Sequence, residues 1–412
     1  MRMRACFGIL LCLLVAVGAL AEGRSEDPYQ SWLKQAEACK SKGDMAGMEA
    51  ALKQALQYGQ GDEYVWRSLS WAQSNQGKGS ESLATARENI RRNGECQFSL
   101  EQLCEAAIAR GDIALAKQTY KRALLLPRDE GAMTALAGVF ANVSSRVYEI
   151  TFTIDPAKKQ KDPDGKSIVL AVPATGLPYQ TATWIVENAE SFETTSIGGN
   201  PAVRVKPKGN GKLLLKAAVT TAPYSYTASL AGARNAAVSE DAKRYLGKGP
   251  RDLDPTKPLA QSIAAQCKSG DAVDSIRRLL AWFKSNMKWD VSTGGDPTED
   301  VLKRGYGNCG DLARAFVAVC RAAGVPSRPV RGFHTNGNTG KSGQLAGHSW
   351  VEVHVGGAGW VPLEPGDPAS FGRTDPMKFR LFDYGFDGEG PLFNTGNAEM
   401  DETHFELLKA EI

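Results

Sequence analysis

The sequence predicts a multidomain chain: an α-helical repeat array, then an antiparallel β-sandwich, then a mixed α+β domain. Three observations carry this reading. Gly43, Gly77 and Gly111 recur at a spacing of 34 residues within helical patterns. Near residue 146 the apolar period changes from that of a helix to two. Beyond residue 255 helical stripes and alternating strands mix, and a glycine-rich turn leads Cys309 into a helix. With 42% apolar and 23% charged residues in 412, the composition is globular and the length suits two or three domains.

Residues 1–21 read as a signal peptide, with Arg2 and Arg4 as the basic region, a short apolar run, and Ala19-Leu20-Ala21 as a small-x-small cleavage site. The run is too short to span a bilayer, and no later stretch reaches that length, so a periplasmic or secreted protein without an integral membrane span is expected. Without that segment 47 basic residues face 46 acidic ones. This near-neutral balance argues against nucleic acid as a partner. Cys39, Cys96, Cys104, Cys267, Cys309 and Cys320 remain, and their spacing forms neither a dense disulfide framework nor a paired metal-ligand pattern. Cys320 follows Cys309 on the same helix face but three turns away, too far for a bridge, and reads as core.

Residues 29–145 carry the repeats. Trp32, Trp66 and Leu100 lie eleven residues before their glycines, and Ala36, Ser70 and Cys104 lie seven before. Ala55-Leu56, Asn89-Ile90 and Ala123-Leu124 follow at twelve and thirteen. Small residues let helices touch, glycine turns the chain, and each hairpin buries its stripe against the next. This order resembles tetratricopeptide repeats, three hairpins and a capping helix near residues 131–142. Such arrays bind peptides or serve as spacers, so a protein partner is one expectation for this region.

Residues 146–240 read as the sandwich. Tyr148, Ile150, Phe152 and Ile154 alternate with polar or smaller neighbours, and turns fall at Pro163-Asp164-Gly165, Gly198-Gly199-Asn200 and Gly209-Asn210-Gly211. The sandwich contains no histidine or cysteine. Residues 238–259, rich in charge, Gly and Pro, read as a linker to the domain at 255–368. There Ile276, Leu279, Leu280 and Phe283 form one helix stripe. Asp296-Pro297-Thr298-Glu299 reads as a capping box on a short second helix. Leu312, Ala315, Phe316, Val319 and Ala323 then place an apolar face on a helix that starts at Cys309. Residues 328–334 and 348–355 read as strands around a Gly/Asn-rich loop at 335–347. A hairpin through Gly356-Gly357-Ala358-Gly359 brings His348 near Glu364 or Asp367. Residues 369–412 read as a C-terminal extension with a helix-like end, on which His404 is a surface residue.

A cysteine at a helix N-terminus is set up to ionise, because free backbone N–H groups and the positive dipole end favour the thiolate. Cys309 as nucleophile, His348 as base and a carboxylate orienting the imidazole would form an acyl-transfer triad. Taken singly, the three have plainer readings as core thiol, surface imidazole and solvated carboxylate. A metal site through Cys309, His334, His348 and His354 is disfavoured, since His348 and His354 lie six residues apart along one strand face.

Gly307-Asn308-Cys309-Gly310-Asp311, Ala323-Gly324-Val325-Pro326-Ser327-Arg328, His348-Ser349-Trp350-Val351-Glu352-Val353 and Gly359-Trp360-Val361-Pro362-Leu363-Glu364-Pro365 together resemble the transglutaminase core superfamily. The resemblance implies a papain-like α+β fold with a Cys-His-Asp triad and acyl transfer from a glutamine side chain or peptide bond to an amine or water. It carries the nucleophile to Cys309, the base to His348 and the third member to Glu364, where the family usually has Asp. Asp367 is the reserve. The first oxyanion donor falls on the Cys309 N–H, with Trp289 a nominee for the second. No cofactor or metal is implied. A protein- or peptide-directed thiol hydrolase, a protein-crosslinking transglutaminase and a non-catalytic binding scaffold with a decayed triad are the competing expectations, the hydrolase being favoured.

Overall fold

The computed structural model describes residues 27–411 except 60–61, 128, 160, 162–164, 234–236, 250–251, 293, 336–341 and 385–401. The signal-peptide segment, residues 1–21, and residues 336–341 of the Gly/Asn-rich loop lie outside the described residues. The chain divides into two compact units at Asp62.

The first unit contains one helix hairpin, α1 (Pro28–Ser41) and α2 (Met45–Tyr58). Asp27 caps α1 ahead of a first-turn proline, and Asp44 caps α2 by accepting the Gly47 N–H at 2.8 Å. Gly43 turns the chain between them at φ +72°, in the left-handed region that favours glycine.

The second unit opens with α3 (Glu63–Asn75), α4 (Gly79–Asn93), α5 (Gln97–Arg110), α6 (Ile113–Ala123) and α7 (Glu130–Val143). Gly77 and Gly111 make the equivalent turns at φ +74° and +84°. The small residues between helices are packed as their spacing requires: Ala72, Ala86, Ala106 and Ala107 are wholly buried. Ser70 meets the Ser82 hydroxyl at 2.9 Å, and the Cys104 thiol donates to the Ala116 carbonyl at 3.5 Å.

Next come β1 (Ser145–Ile154), β2 (Ile168–Ala171), β3 (Gln180–Glu187), β4 (Ala189–Ile197), β5 (Asn200–Pro207) and β6 (Leu213–Thr221). Strands β2, β5 and β4 form one antiparallel sheet, and β1, β6 and β3 belong to another. The inward row Tyr148, Ile150, Phe152 and Ile154 is at most 1% exposed, which confirms the period of two.

The remaining elements are α8 (Thr227–Gly232), α9 (Glu240–Lys243), α10 (Pro258–Cys267), α11 (Ala272–Asn286), β7 (Lys288–Trp289), α12 (Thr298–Arg304), β8 (Tyr306–Gly307) and α13 (Cys309–Ala322). Beyond them lie β9 (Ser327–His334), β10 (Ser342–Gly343), β11 (Ala346–Val355), β12 (Gly359–Leu363), β13 (Lys378–Asp383) and β14 (Glu402–Glu411). An antiparallel sheet in the order β12-β11-β9-β13 carries α13 on one face. Val351, Val353, Val361 and Leu363 share a core there with Phe316 and Val319, and α10 and α11 complete that layer with Ile263, Leu280 and Phe283. Through Phe379 and Leu381 the sheet joins the sandwich core.

Three sequence expectations change. The helix-like tail is a strand: β14 pairs antiparallel with β1, and Phe405 packs edge-to-face on Tyr148 at 6.0 Å. Thr403, Phe405 and Leu407 keep a period of two, and β14 closes an edge of β1 whose backbone groups would otherwise lack partners. His404 is an exposed residue of that strand. The expected linker is partly packed structure, because the buried Tyr245 ring meets Trp360 at 4.9 Å and its hydroxyl donates to Asp383 at 3.3 Å. The capping box does not form. Asp296 pairs with Arg304 at 2.7 Å, and Glu299 accepts the Leu259 N–H at 3.0 Å.

Gly332 on β9 has no room for a side chain. A Cβ there would overlap the Phe379 carbonyl oxygen of β13 and lie 2.6 Å from the Trp350 ring of β11. We expect Gly332→Ala to destabilise the protein by about 1–3 kcal/mol or more, read from denaturant unfolding, because backbone blocks one of the two contacts.

Candidate active site

Cys309 occupies the first position of α13 because Asn308 ends the preceding turn in extended geometry and caps the helix, its side chain accepting the Asp311 N–H at 2.9 Å. Asp311 is fully buried one turn in. It accepts from the Gly295 N–H at 3.0 Å and from Arg314 at 2.7 Å, with Arg304 at 3.4 Å. This network ties the 294–296 loop and the turn before Cys309 to the helix. Removing Arg314 leaves the buried Asp311 carboxylate with only the longer Arg304 contact and the Gly295 N–H, so Arg314→Met should cost up to about 3 kcal/mol in denaturant unfolding.

His348 stands near the start of β11, opposite Gly332 of β9. Its Nε2 lies 3.0 and 3.1 Å from the two Glu364 carboxylate oxygens. Its ring also acts on the Cys309 thiol, favouring the thiolate, and with Nε2 engaged by Glu364 the nitrogen left for sulfur is Nδ1. Trp350 stacks beside the imidazole at 6.0 Å, and His334 meets it edge-on at 5.2 Å. The structure therefore brings Cys309, His348 and Glu364 together. Asp367 is used elsewhere, accepting the Ala369 N–H at 3.0 Å as the cap of a short helical turn. Trp289 is 67% exposed on β7, which pairs with β8 just before Cys309.

Burial by itself raises the Cys309 thiol, but the hydrogen bond and charge of His348, the Ser349 N–H and Arg331 prevail and hold it below its ordinary value. Burial also disfavours the imidazolium. Its hydrogen bonds to Cys309 and Glu364 and the Glu364 charge nevertheless raise His348 to about 9, against opposition from Lys378. Burial raises Glu364, and the nearby Lys378 and His348 overcome it to leave the carboxyl below its usual range. The downward shift of Cys309 and the upward shift of His348 both favour a thiolate beside an imidazolium.

Sequence reasoning missed two residues here. Arg331 of β9 favours the thiolate and donates to the Ser349 hydroxyl at 3.3 Å. Lys378 of β13 forms an ion pair with Glu364 and reaches Asp375 at 3.9 Å. The sequence signal for Arg331 was weak, its alternate position on β9. Lys378 lies beyond the expected catalytic region, and only sheet pairing brings it back. A cavity of about 350 Å³ borders Glu364 and Lys378. Its other walls include Trp71 and Asn75 of α3, Glu105 of α5 and Asn142 of α7.

Residues 257–365 match the family model described as the Transglutaminase-like superfamily. An uncharacterized protein of Haemophilus influenzae is 32% identical over 110 residues, with 21% of this chain and 30% of the relative covered. The uncharacterized protein YebA of Bacillus subtilis is 36% identical over 91 residues, with 20% of this chain and 11% of the relative covered. The chain thus spans less than a third of the length of these curated relatives. A solved structure named "Putative Cysteine Protease", from Cytophaga hutchinsonii, aligns at 18% identity and a TM-score of 0.46, covering 66% of this chain and 93% of its own. A "putative protease" structure from Parabacteroides distasonis aligns at 12% identity and a TM-score of 0.23, covering 58% and 46%. The segment that holds Cys309, His348 and Glu364, residues 257–365, is thus the part of this chain that is similar to the Transglutaminase-like superfamily.

Proposed function

We propose that the protein is an exported, thiol-dependent acyl-transfer enzyme that hydrolyses amide bonds of proteins or peptides. The observation that carries the reading is the chain of contacts in which the His348 ring sits between the Cys309 thiol and the Glu364 carboxylate. In this scheme the Cys309 sulfur attacks the amide carbonyl as thiolate. The oxyanion meets the free Cys309 N–H at the start of α13, and His348, already protonated through Nδ1, gives that proton to the leaving amine. His348 then takes a proton from water, which attacks the thioester, and the acid and free thiolate are released. Glu364 accepts from Nε2 throughout, keeping Nδ1 toward sulfur and compensating the imidazolium.

Water is the acceptor present outside the cell, which favours hydrolysis over crosslinking. Incubating the purified protein with a glutamine-containing peptide and a primary amine tests this. Ammonia or peptide cleavage products without amine incorporation are expected, and both should vanish in Cys309→Ala. Dominant amine incorporation would convert the reading to a crosslinking transglutaminase. No Cys309-dependent product from a broad peptide set, with partner binding intact in Cys309→Ala, would favour the scaffold. Export rests on residues 1–21 and predicts a mature N-terminus after Ala21, measured by N-terminal sequencing of the extracytoplasmic fraction.

A further inference from the structure

We propose that Lys378 is a positioning residue whose ammonium holds the Glu364 carboxylate on His348 and keeps it out of the adjoining cavity. This rests on the acyl-transfer reading above. Glu364 stands where the related pattern has Asp, and its side chain carries one more methylene and one more rotatable bond. A carboxylate on that longer arm has more ways to leave the imidazole.

The geometry shows an alternative destination and a restraint. Glu364 borders the cavity of about 350 Å³, so space for the carboxylate lies beside the imidazole it must serve. Lys378 opens β13 and is paired in register with His334 of β9, which places its side chain on the sheet face that His348 and Trp350 share. From there the ammonium contacts Glu364 Oε1, the oxygen that also lies 3.0 Å from His348 Nε2. The backbone is held as well, since the Glu364 N–H donates to the Ser370 hydroxyl at 2.7 Å. One end of the residue is pinned by Ser370 and the other by Lys378. Asp375 lies 3.9 Å from the same ammonium, a longer contact than the one to Glu364.

The charged and titratable groups around the imidazole come from several elements. They are Cys309 of α13, Arg331 and His334 of β9, Glu364 after β12, Asp367 in the turn that follows, Asp375, and Lys378 of β13. Within this set a positioning role and a bare charge effect have opposite signs. Lys378 as a charge opposes the imidazolium. If it were only a charge, removing it would strengthen the imidazolium and extend the thiolate–imidazolium pair to higher pH. If it positions Glu364, removing it frees the carboxylate, weakens the imidazolium and ends the pair at lower pH.

The test is the pH profile of Cys309 alkylation by iodoacetamide in the full mature chain, compared among wild type, His348→Ala, Lys378→Met, Lys378→Arg and Glu364→Gln. We expect Lys378→Met to lose at least tenfold in rate at pH 6 and to move its upper inflection down, as Glu364→Gln does. Lys378→Arg should restore most of both. Thermal unfolding of each variant reports whether the fold is retained; should Lys378→Met be unfolded, the milder Lys378→Gln takes its place in the same profile. A wild-type profile in the folded Met or Gln variant, or an upper inflection that rises, overturns the positioning role while leaving the Cys-His reading intact. Absence of His348-dependent reactivity in wild type would remove that reading and this inference with it.

Discussion

Cys309 is expected to react with iodoacetamide at pH 6 on the order of 100-fold faster in the wild-type protein than in His348→Ala. A thiol that titrates near its free value of about 8.5 is less than about 1% thiolate at that pH. His348 holds the Cys309 thiol below its ordinary value and itself retains a proton up to about 9. Substituting alanine removes the hydrogen bond and the positive charge together, and burial is then left to push the thiol up. The profile should therefore rise at lower pH in wild type than in His348→Ala, with a second inflection in wild type as His348 loses its proton at about 9. The same proton bears on stability. Because the folded state raises His348 above its unfolded value near 6.5, this pair stabilises the fold fully below that pH and loses the effect as pH rises through about 9. Equal low-pH reactivity in both proteins would sink the Cys-His pair.

Glu364→Gln is expected to lower kcat for amide hydrolysis by about 10²–10⁴-fold with a smaller effect on KM. Glutamine keeps the length and most of the packing, so the loss reports charge and acceptor character. With the carboxylate absent, nothing compensates the imidazolium as it forms, and the neutral amide can present a donor to Nε2, which favours the wrong tautomer. The Lys378 ammonium also loses its closest counter-charge. Steady-state kinetics on any substrate found active decides this, and a kcat within threefold of wild type would remove Glu364 from the triad. Glu364→Asp distinguishes reach from charge. It should recover only part of the activity, because β12 holds the backbone fixed and the carboxylate would fall short of Nε2.

Much of the site was legible because its parts are local. Asn308 is a side-chain cap, Cys309 follows it, and the stripe from Leu312 to Ala323 must face inward; neighbours in sequence decide each of these. His348 and Glu364 required one further step, a hairpin of nearly fixed register, which pairs Val351 with Leu363 and leaves the two residues at the same end. The repeat glycines were readable for a similar reason, since a positive φ after a helix selects glycine wherever it occurs. Asp296 and Glu299 mark where local rules failed. Both have capping chemistry, but a guanidinium eight residues on and a backbone N–H forty residues back bind them instead.

By itself the sequence determined the helical hairpins, the alternating strands, the helix that begins at Cys309 and the hairpin that turns His348 toward Glu364. Each follows from periodicity, capping or turn chemistry within a few dozen residues. Only the tertiary structure decided that residues 378–383 and 402–411 return to pair with β9 and β1, and that Lys378 meets Glu364 rather than Asp367 meeting His348. The physical reason is that a strand's partner is chosen by which open edge and which buried face remain after the rest has folded. No local pattern in the chain records that choice.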